Sequence, residues 1–261
     1  MGKMKYNKIT ALYFSPTGST KNALKTVLDG FSCDKSEIDF TPYENRNNSY
    51  SFTSSDLVII AVPVYGGRIP SAAEQRIKQM HGENTQAILF VSYGNVHFGN
   101  SLCELQQLIE INGFITIAAA AVVTEHNVIP DTIGVGRPSA NDKNVLLSFS
   151  RQVQDKISAN DKIERIILNV DKKYQYSQRD TLPIRPHSSK QCNKCGVCIK
   201  GCPCGAILVP EKATGSQCIR CMRCIKYCPK KVRTFGFLKK IPIKLFLKIM
   251  GRKEKETLVF L

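Results

Sequence analysis

Over the first 160 residues, apolar runs of strand length alternate with longer segments of helical period. "ITALYF" (9–14) precedes a predicted helix at 19–30, and "EIDF" (37–40) reads as a weaker strand. "DLVIIAVPV" (56–64) is almost uninterrupted apolar sequence, the mark of a strand covered on both faces. A helix at 70–80 follows, then "QAILFVSY" (86–93), a helix at 100–112, "FITIAAAAVVT" (114–124) and a helix at 139–158. Strands joined by helical crossovers predict an α/β fold, a five-stranded parallel sheet with helices on both faces. Such sheets bind ligands at the carboxyl ends of their strands, which directs attention to the loops 15–20, 63–70 and 92–99.

Composition divides the chain. Of 37 Lys and Arg, 18 fall in residues 181–261, against 3 of the 21 Asp and Glu, so nearly all of the +16 net charge lies there. Nine of the eleven cysteines lie between 192 and 228. The expected units are 1–160, a linker over 161–190 that includes "SQRDTLPIRPHSSK", a cysteine-rich unit over 191–234, and a basic amphipathic segment over 235–261. No stretch approaches the roughly 20 apolar residues that cross a bilayer. "MGKMKYNK" lacks a hydrophobic core and cleavage site, and Tyr6 stands where a myristoylation signal wants Ser or Thr, so a cytoplasmic protein is expected.

The first loop, "SPTGST", is rich in donors. A helix beginning at Ser19 leaves free backbone N–H groups and a positive dipole end, which together favour an anion. Ser15, Thr17, Ser19 and Thr20 add hydroxyls, and Gly18 lets the backbone approach closely. The Gly-Lys pair of a polyphosphate loop is missing, as is Gly-x-Gly-x-x-Gly, so one terminal phosphate monoester suits the loop better. An ordinary βα turn with a hydroxyl cap is the competing reading. The second loop brings Pro63, Val64, Tyr65, Gly66 and Gly67; the third brings Ser92, Tyr93, Gly94, Asn95, His97 and Phe98. Two tyrosines and mobile glycines beside a phosphate cradle suit a flat aromatic ligand such as a flavin.

"SPTGST" resembles the phosphate loop of flavodoxins. More narrowly, "VPVYGGRIP", "SYGN", "TEHNV" and "GRPS" together resemble the flavodoxin–ferredoxin fusion proteins of the EFR1 type. That resemblance implies strand order 2-1-3-4-5 with FMN at the switch point. Ser15, Thr17, Gly18, Ser19 and Thr20 would then hold the phosphate, and residues of the second and third loops would border the ring. Flavodoxins often place Trp and acidic residues there. This chain has no Trp and carries Arg68, which would favour a reduced, anionic flavin by charge attraction.

"CNKCGVCIKGCP" and "CIRCMRCIKYCP" repeat Cys-x2-Cys-x2-Cys-x3-Cys-Pro with a 26-residue period, from 192 and from 218. The spacing matches the bacterial two-cluster ferredoxin pattern, in which the fourth cysteine of each run serves the other cluster. On that pattern Cys192, Cys195, Cys198 and Cys228 hold one 4Fe–4S cluster, and Cys202, Cys218, Cys221 and Cys224 the other, in a small α+β ferredoxin-like domain. Zinc is the alternative, since Cys-x2-Cys pairs also build zinc ribbons. Cys204 is surplus to the pattern, and Cys33 and Cys103 read as buried thiols.

In the last segment Lys240, Lys244, Lys248 and Arg252 recur every four residues beside Leu238, Ile241, Leu245 and Ile249. The pattern is an amphipathic helix, with Pro242 expected near its start. It would dock on its own domain, meet an acidic redox partner, or lie on an anionic membrane; no nucleic-acid motif accompanies it. The leading functional expectation is an electron carrier joining FMN, which exchanges one or two electrons, to one-electron clusters. A flavin-dependent reductase fed through the clusters and a redox-sensing module are the alternatives. Open space above the flavin would favour the reductase, a covered flavin with exposed clusters the carrier.

Overall fold

The computed structural model describes residues 6–159, 163–174 and 183–261, without the side chains of 237–239. Position 160, the linker positions 161–162 and 175–182, and the first five residues of the basic N-terminus lie outside the described residues. The chain forms β1 (Lys8–Tyr13), α1 (Ser19–Asp29), β2 (Asp34–Asp39), β3 (Tyr50–Phe52), β4 (Leu57–Pro63) and α2 (Ser71–Ile77). It continues with β5 (Met80–Gly82), β6 (Thr85–Tyr93), α3 (Ser101–Ile111), β7 (Phe114–Val123) and α4 (Ala140–Ala159). The second half holds β8 (His187–Ser188), α5 (Val197–Lys200), α6 (Arg223–Lys226), β9 (Arg233–Thr234), α7 (Phe237–Met250) and β10 (Leu258–Phe260).

The central sheet runs β10-β7-β6-β4-β1-β2. Its five parallel strands, counted in chain order, lie 2-1-3-4-5, the doubly wound order of flavodoxin-like sheets. Every residue of β4 is buried, as its unbroken apolar run requires. One face carries α2 and α3 over Leu12, Ile60 and Leu89; the other carries α1 and α4 over Ile9, Ile59 and Phe90. β2 alternates exposed and half-buried residues, so charged side chains protect that edge.

The other edge departs from the five-stranded expectation. β10 pairs antiparallel with β7, Leu258 opposite Ala121 and Phe260 opposite Ala119. An alanine-rich strand at an open edge would expose unpaired backbone groups, and the end of the chain covers them. β3 and β5 form a separate parallel pair that the hydrophobic pattern did not announce, being only three residues each. Pro242 lies in the second turn of α7 rather than at its start. There it forfeits one intrahelical hydrogen bond that an N-terminal position would have spared.

The sequence repeat of the second half is also a backbone repeat. Lys194 and Gly196 have φ of 58° and 76°; Arg220 and Met222, at the same offsets in the second run, have 54° and 61°. Each pair leads into a single helical turn, α5 or α6, and β8 pairs with β9 across the unit. Ile219 and Cys221 belong to the same apolar core as Phe14 and Val64, so the second half is seated on the first. Buried Arg76 joins them by donating to the carbonyls of Phe40, Thr41 and Pro203.

Candidate cofactor site

At the carboxyl ends of β1, β4, β6 and β7 lies a cavity of about 380 Å³, within the range of small-molecule sites. Ser19 and Thr20 line it from the first loop, Pro63, Val64, Tyr65, Gly66 and Gly67 from the second, and Ser92, Tyr93 and Gly94 from the third. Its remaining wall comes from segments outside that expectation. Thr124 to Val128 follow β7, Ile219 and Arg220 belong to the second cysteine run, and Phe246, Leu247 and Met250 come from α7. The motif "TEHNV" figured in the family resemblance without a place at the site; nothing local could signal the others, which arrive through tertiary docking.

Ser15, Thr17, Gly18, Asn95 and Phe98 are not among the lining residues. Ser15 shapes the loop: its N–H donates to Thr41 Oγ1 at 2.7 Å, and its Oγ accepts from Lys21 N–H at 3.0 Å. Gly18 precedes α1 with φ 84°, a conformation a side chain would strain. Thr17 Oγ1 and Ser19 Oγ both donate to Asn127 Oδ1, at 3.0 and 3.4 Å. Two hydroxyls thus converge on one acceptor oxygen at the start of a helix, as they would on a phosphate oxygen. Asn95 instead holds the C-terminal segment, donating to Gly251 O at 3.0 Å and accepting from Lys255 N–H at 2.9 Å. Phe98 packs on Tyr93 with ring centres 5.4 Å apart.

The loop is gripped from behind by the second half. Arg223 donates to Pro16 O, and Lys226 Nζ and Tyr227 Oη donate to Thr17 O at 2.9 and 3.3 Å. In a trans peptide the C=O and the next N–H point oppositely. Holding the Pro16 carbonyl therefore also fixes the Thr17 N–H in the opposite direction.

Around the ring side, Tyr93 Oη is engaged, donating to Glu256 O at 3.1 Å, and burial pushes its pKa up to about 12. His97 stacks on Tyr174 with ring centres 4.8 Å apart, and its Nδ1 is buried without a hydrogen-bond partner among the described residues. Burial, with Lys255 and Lys173 nearby, lowers its pKa, so the imidazole is neutral at pH 7. His126, lowered by burial to about 4, is neutral too, and accepts from Val128 N–H through Nδ1. An orphaned imidazole nitrogen, tyrosine rings and hydroxyl donors make a donor set that fits a phosphorylated aromatic ligand.

Arg68 does not take the place expected of it. Its guanidinium pairs with the Glu104 carboxylate at 2.5 Å, and Glu104 also accepts from Ile69 N–H. The pair lies outside the cavity lining, so the charge is spent on an internal ion pair rather than on a ring. Among the described residues Arg220 is the Lys or Arg that lines the cavity, and its side chain also donates to the Cys218 carbonyl.

The cysteines gather around two smaller cavities. One is lined by Cys192, Cys195, Cys198 and Cys228, the other by Cys202, Cys218, Cys221 and Cys224 together with Cys204. In each, three thiols of one run meet the fourth of the other run. The paired left-handed residues turn successive N–H groups into a concavity suited to an anionic centre. Among the described residues no three His, Cys, Asp or Glu side chains close on a single-ion site. Cys204 packs against the apolar core, and burial raises its thiol to about 12. Cys33 is half-buried rather than buried, whereas Cys103 is buried and donates toward the carbonyls of Leu168 and Asn169.

No helix of the described residues is long and apolar enough to cross a membrane. No protein-family model matches the chain, and no curated protein matches it. Similar solved structures include rubredoxin oxygen:oxidoreductase from the anaerobe Desulfovibrio gigas, 18% identical with TM-score 0.42 over 59% of this chain. The likeness spans 36% of that protein's length. A Streptococcus pneumonia TIGR4 flavodoxin is 13% identical with TM-score 0.40, over 56% of this chain and 97% of its own. A Fusobacterium nucleatum flavodoxin bound to flavin mononucleotide is 12% identical with TM-score 0.39, over 57% and 97%. By its own topology the chain is an α/β protein whose mostly parallel sheet has the doubly wound 2-1-3-4-5 order, with a cavity at the strand ends.

Proposed function

We propose that this chain is an electron-transfer protein holding FMN in the strand-end cavity and a 4Fe–4S cluster in each cysteine-lined cavity. The observation that carries the reading is Ile219, which lines both the strand-end cavity and the cavity of Cys202, Cys218, Cys221 and Cys224. One side chain of wall between two redox sites suits direct electron transfer. Bound FMN would exchange one or two electrons and each cluster one.

The chain's own residues supply the rest. Thr17, Ser19 and the start of α1 would bind the phosphate, and Tyr65, Tyr93 and His97 would border the ring. The cavity of Cys192, Cys195, Cys198 and Cys228 does not share lining with the strand-end cavity, and Cys195 is exposed. That order favours entry of electrons from an external partner at the Cys195 side and their passage inward past Ile219. Phe246, Leu247 and Met250 narrow one side of the flavin cavity, which favours a carrier over a reductase that must admit its own substrate.

Anaerobic purification with iron, sulfide and flavin analysis tests the reading, followed by stepwise reduction monitored by EPR. About eight irons and one FMN per chain, with interacting paramagnetic centres, are expected. Zinc in place of iron, or no flavin uptake, would overturn it.

A further inference from the structure

α7 presents two different apolar faces. Ile243 and Leu247 are half-buried toward the body, Ile243 against the small core of Ile184, Met222 and Phe235 and Leu247 at the cavity wall. On the opposite side Ile241, Leu245 and Ile249 stand 53%, 61% and 67% exposed. Spaced by four, they form one row along the helix, running about 12 Å. Lys240, Lys244 and Lys248 each precede a member of that row and make a parallel cationic row, all exposed. The helix contains no Asp or Glu, and Arg252 and Lys253 follow it. A helix that merely docks on its own domain turns polar residues to water; this one turns aliphatic residues there.

We infer that α7 is a membrane-surface anchor whose outer row of Ile241, Leu245 and Ile249 enters the headgroup region of an anionic phospholipid bilayer. Lys240, Lys244 and Lys248 run their aliphatic stems along that boundary and set their ammonium groups among lipid phosphates. Charge complementarity selects this occupant: an unbroken cationic row beside a straight aliphatic row matches a planar anionic surface. With 14 residues, about 21 Å long, the helix lies on a bilayer and does not span it. The inference is independent of the cofactors proposed above, since it uses only the outer face.

Co-sedimentation of the full-length protein tests it, using vesicles of phosphatidylcholine mixed with phosphatidylglycerol against vesicles of phosphatidylcholine alone. Binding is expected to the anionic vesicles only, and to weaken as salt is raised. Replacing Lys240, Lys244 and Lys248 by Gln should weaken partitioning on the order of 100-fold. The double change Leu245→Glu with Ile249→Glu should abolish it while leaving the thermal midpoint unchanged; if that variant does not fold, Ile241→Ser serves in its place. Failure of the wild-type chain to bind anionic vesicles would overturn the inference. So would undiminished binding by the outer-face variants, or capture of an acidic protein by this face without vesicle binding.

Discussion

Lys226 Nζ donates to the carbonyl oxygen of Thr17 at 2.9 Å, so the second cysteine run holds the hydroxyl loop at the head of α1 from behind. Arg223 does the same for Pro16. Lys226→Met removes a charge-assisted hydrogen bond of about 1–2 kcal/mol, so FMN should bind roughly fivefold to thirtyfold more weakly. Fluorescence-quenching titration of the apoprotein checks this, and an unchanged dissociation constant would show that the grip does not shape the loop.

Asn127 Oδ1 receives both Thr17 and Ser19 hydroxyls. An Asp at 127 would set a carboxylate beside an incoming phosphate and hold those donors. Asn127→Asp should therefore lose at least tenfold in FMN affinity, about 1.4 kcal/mol or more, whereas Asn127→Ala should bind FMN as well as the parent or better. Equal affinities for the two variants would remove Asn127 from the phosphate site.

The crossed cysteine groups make a specific prediction about Cys202 and Cys228. On the proposed cofactor assignment, Cys228→Ala should disable the cluster of Cys192, Cys195 and Cys198, and Cys202→Ala the cluster of Cys218, Cys221 and Cys224. Each variant should retain about four irons in place of about eight. Only Cys228→Ala should leave the signal nearest the flavin, the one whose relaxation responds to flavin reduction.

Gly94 and Gly66 differ in why they are glycine. A Cβ at 94 would lie 2.6 Å from the His126 ring, while at 66 it would meet nothing within 4 Å, although φ is 60°. Gly94→Ala should cost about 1–3 kcal/mol through overpacking and lower flavin content as the cavity wall shifts. Gly66→Ala should cost about 1 kcal/mol, the price of a left-handed alanine, and keep its flavin. Chemical denaturation with flavin analysis compares them.

Acid should act in two windows. His126 is lowered by burial from 6.5 to about 4, so it stays neutral when folded and stability is lost as pH falls from about 6.5 to 4. Burial tends to raise Asp142, but hydrogen bonds from Arg137, Ser139 and Thr257 outweigh it and bring it from 3.8 to about 2. Its contribution is present above 3.8 and lost as pH falls toward 2. His126→Gln should flatten the upper window by about 1.4 kcal/mol per pH unit, and Asp142→Asn should flatten only the lower one. Denaturant midpoints across pH 7 to 2 test both slopes. Because Thr257 donates to Asp142 at 2.8 Å, release of the C-terminal segment should accompany the lower transition.

Much of the architecture was legible in residue order. Continuous apolar runs marked β4, β6 and β7 because a strand buried on both faces has no polar side to reveal, and the helices between them set a parallel sheet. The 26-residue cysteine repeat announced a backbone repeat, since ligand spacing and tight turns are local properties. "SPTGST" announced a donor-rich helix start for the same reason. β10 was hidden in three apolar residues at the chain's end, too few for a period, and its partner lies more than a hundred residues away.

What only the tertiary structure decided is who faces whom. Arg68 met Glu104 and left the cavity wall, Asn95 turned to the C-terminal segment, and Ile219 and α7 became walls of a cavity. Local sequence chemistry determines which groups can donate, ligate or bury. Pairing across the fold determines which charges are neutralised and which side chains share a site, because those energies depend on distances that no local pattern encodes.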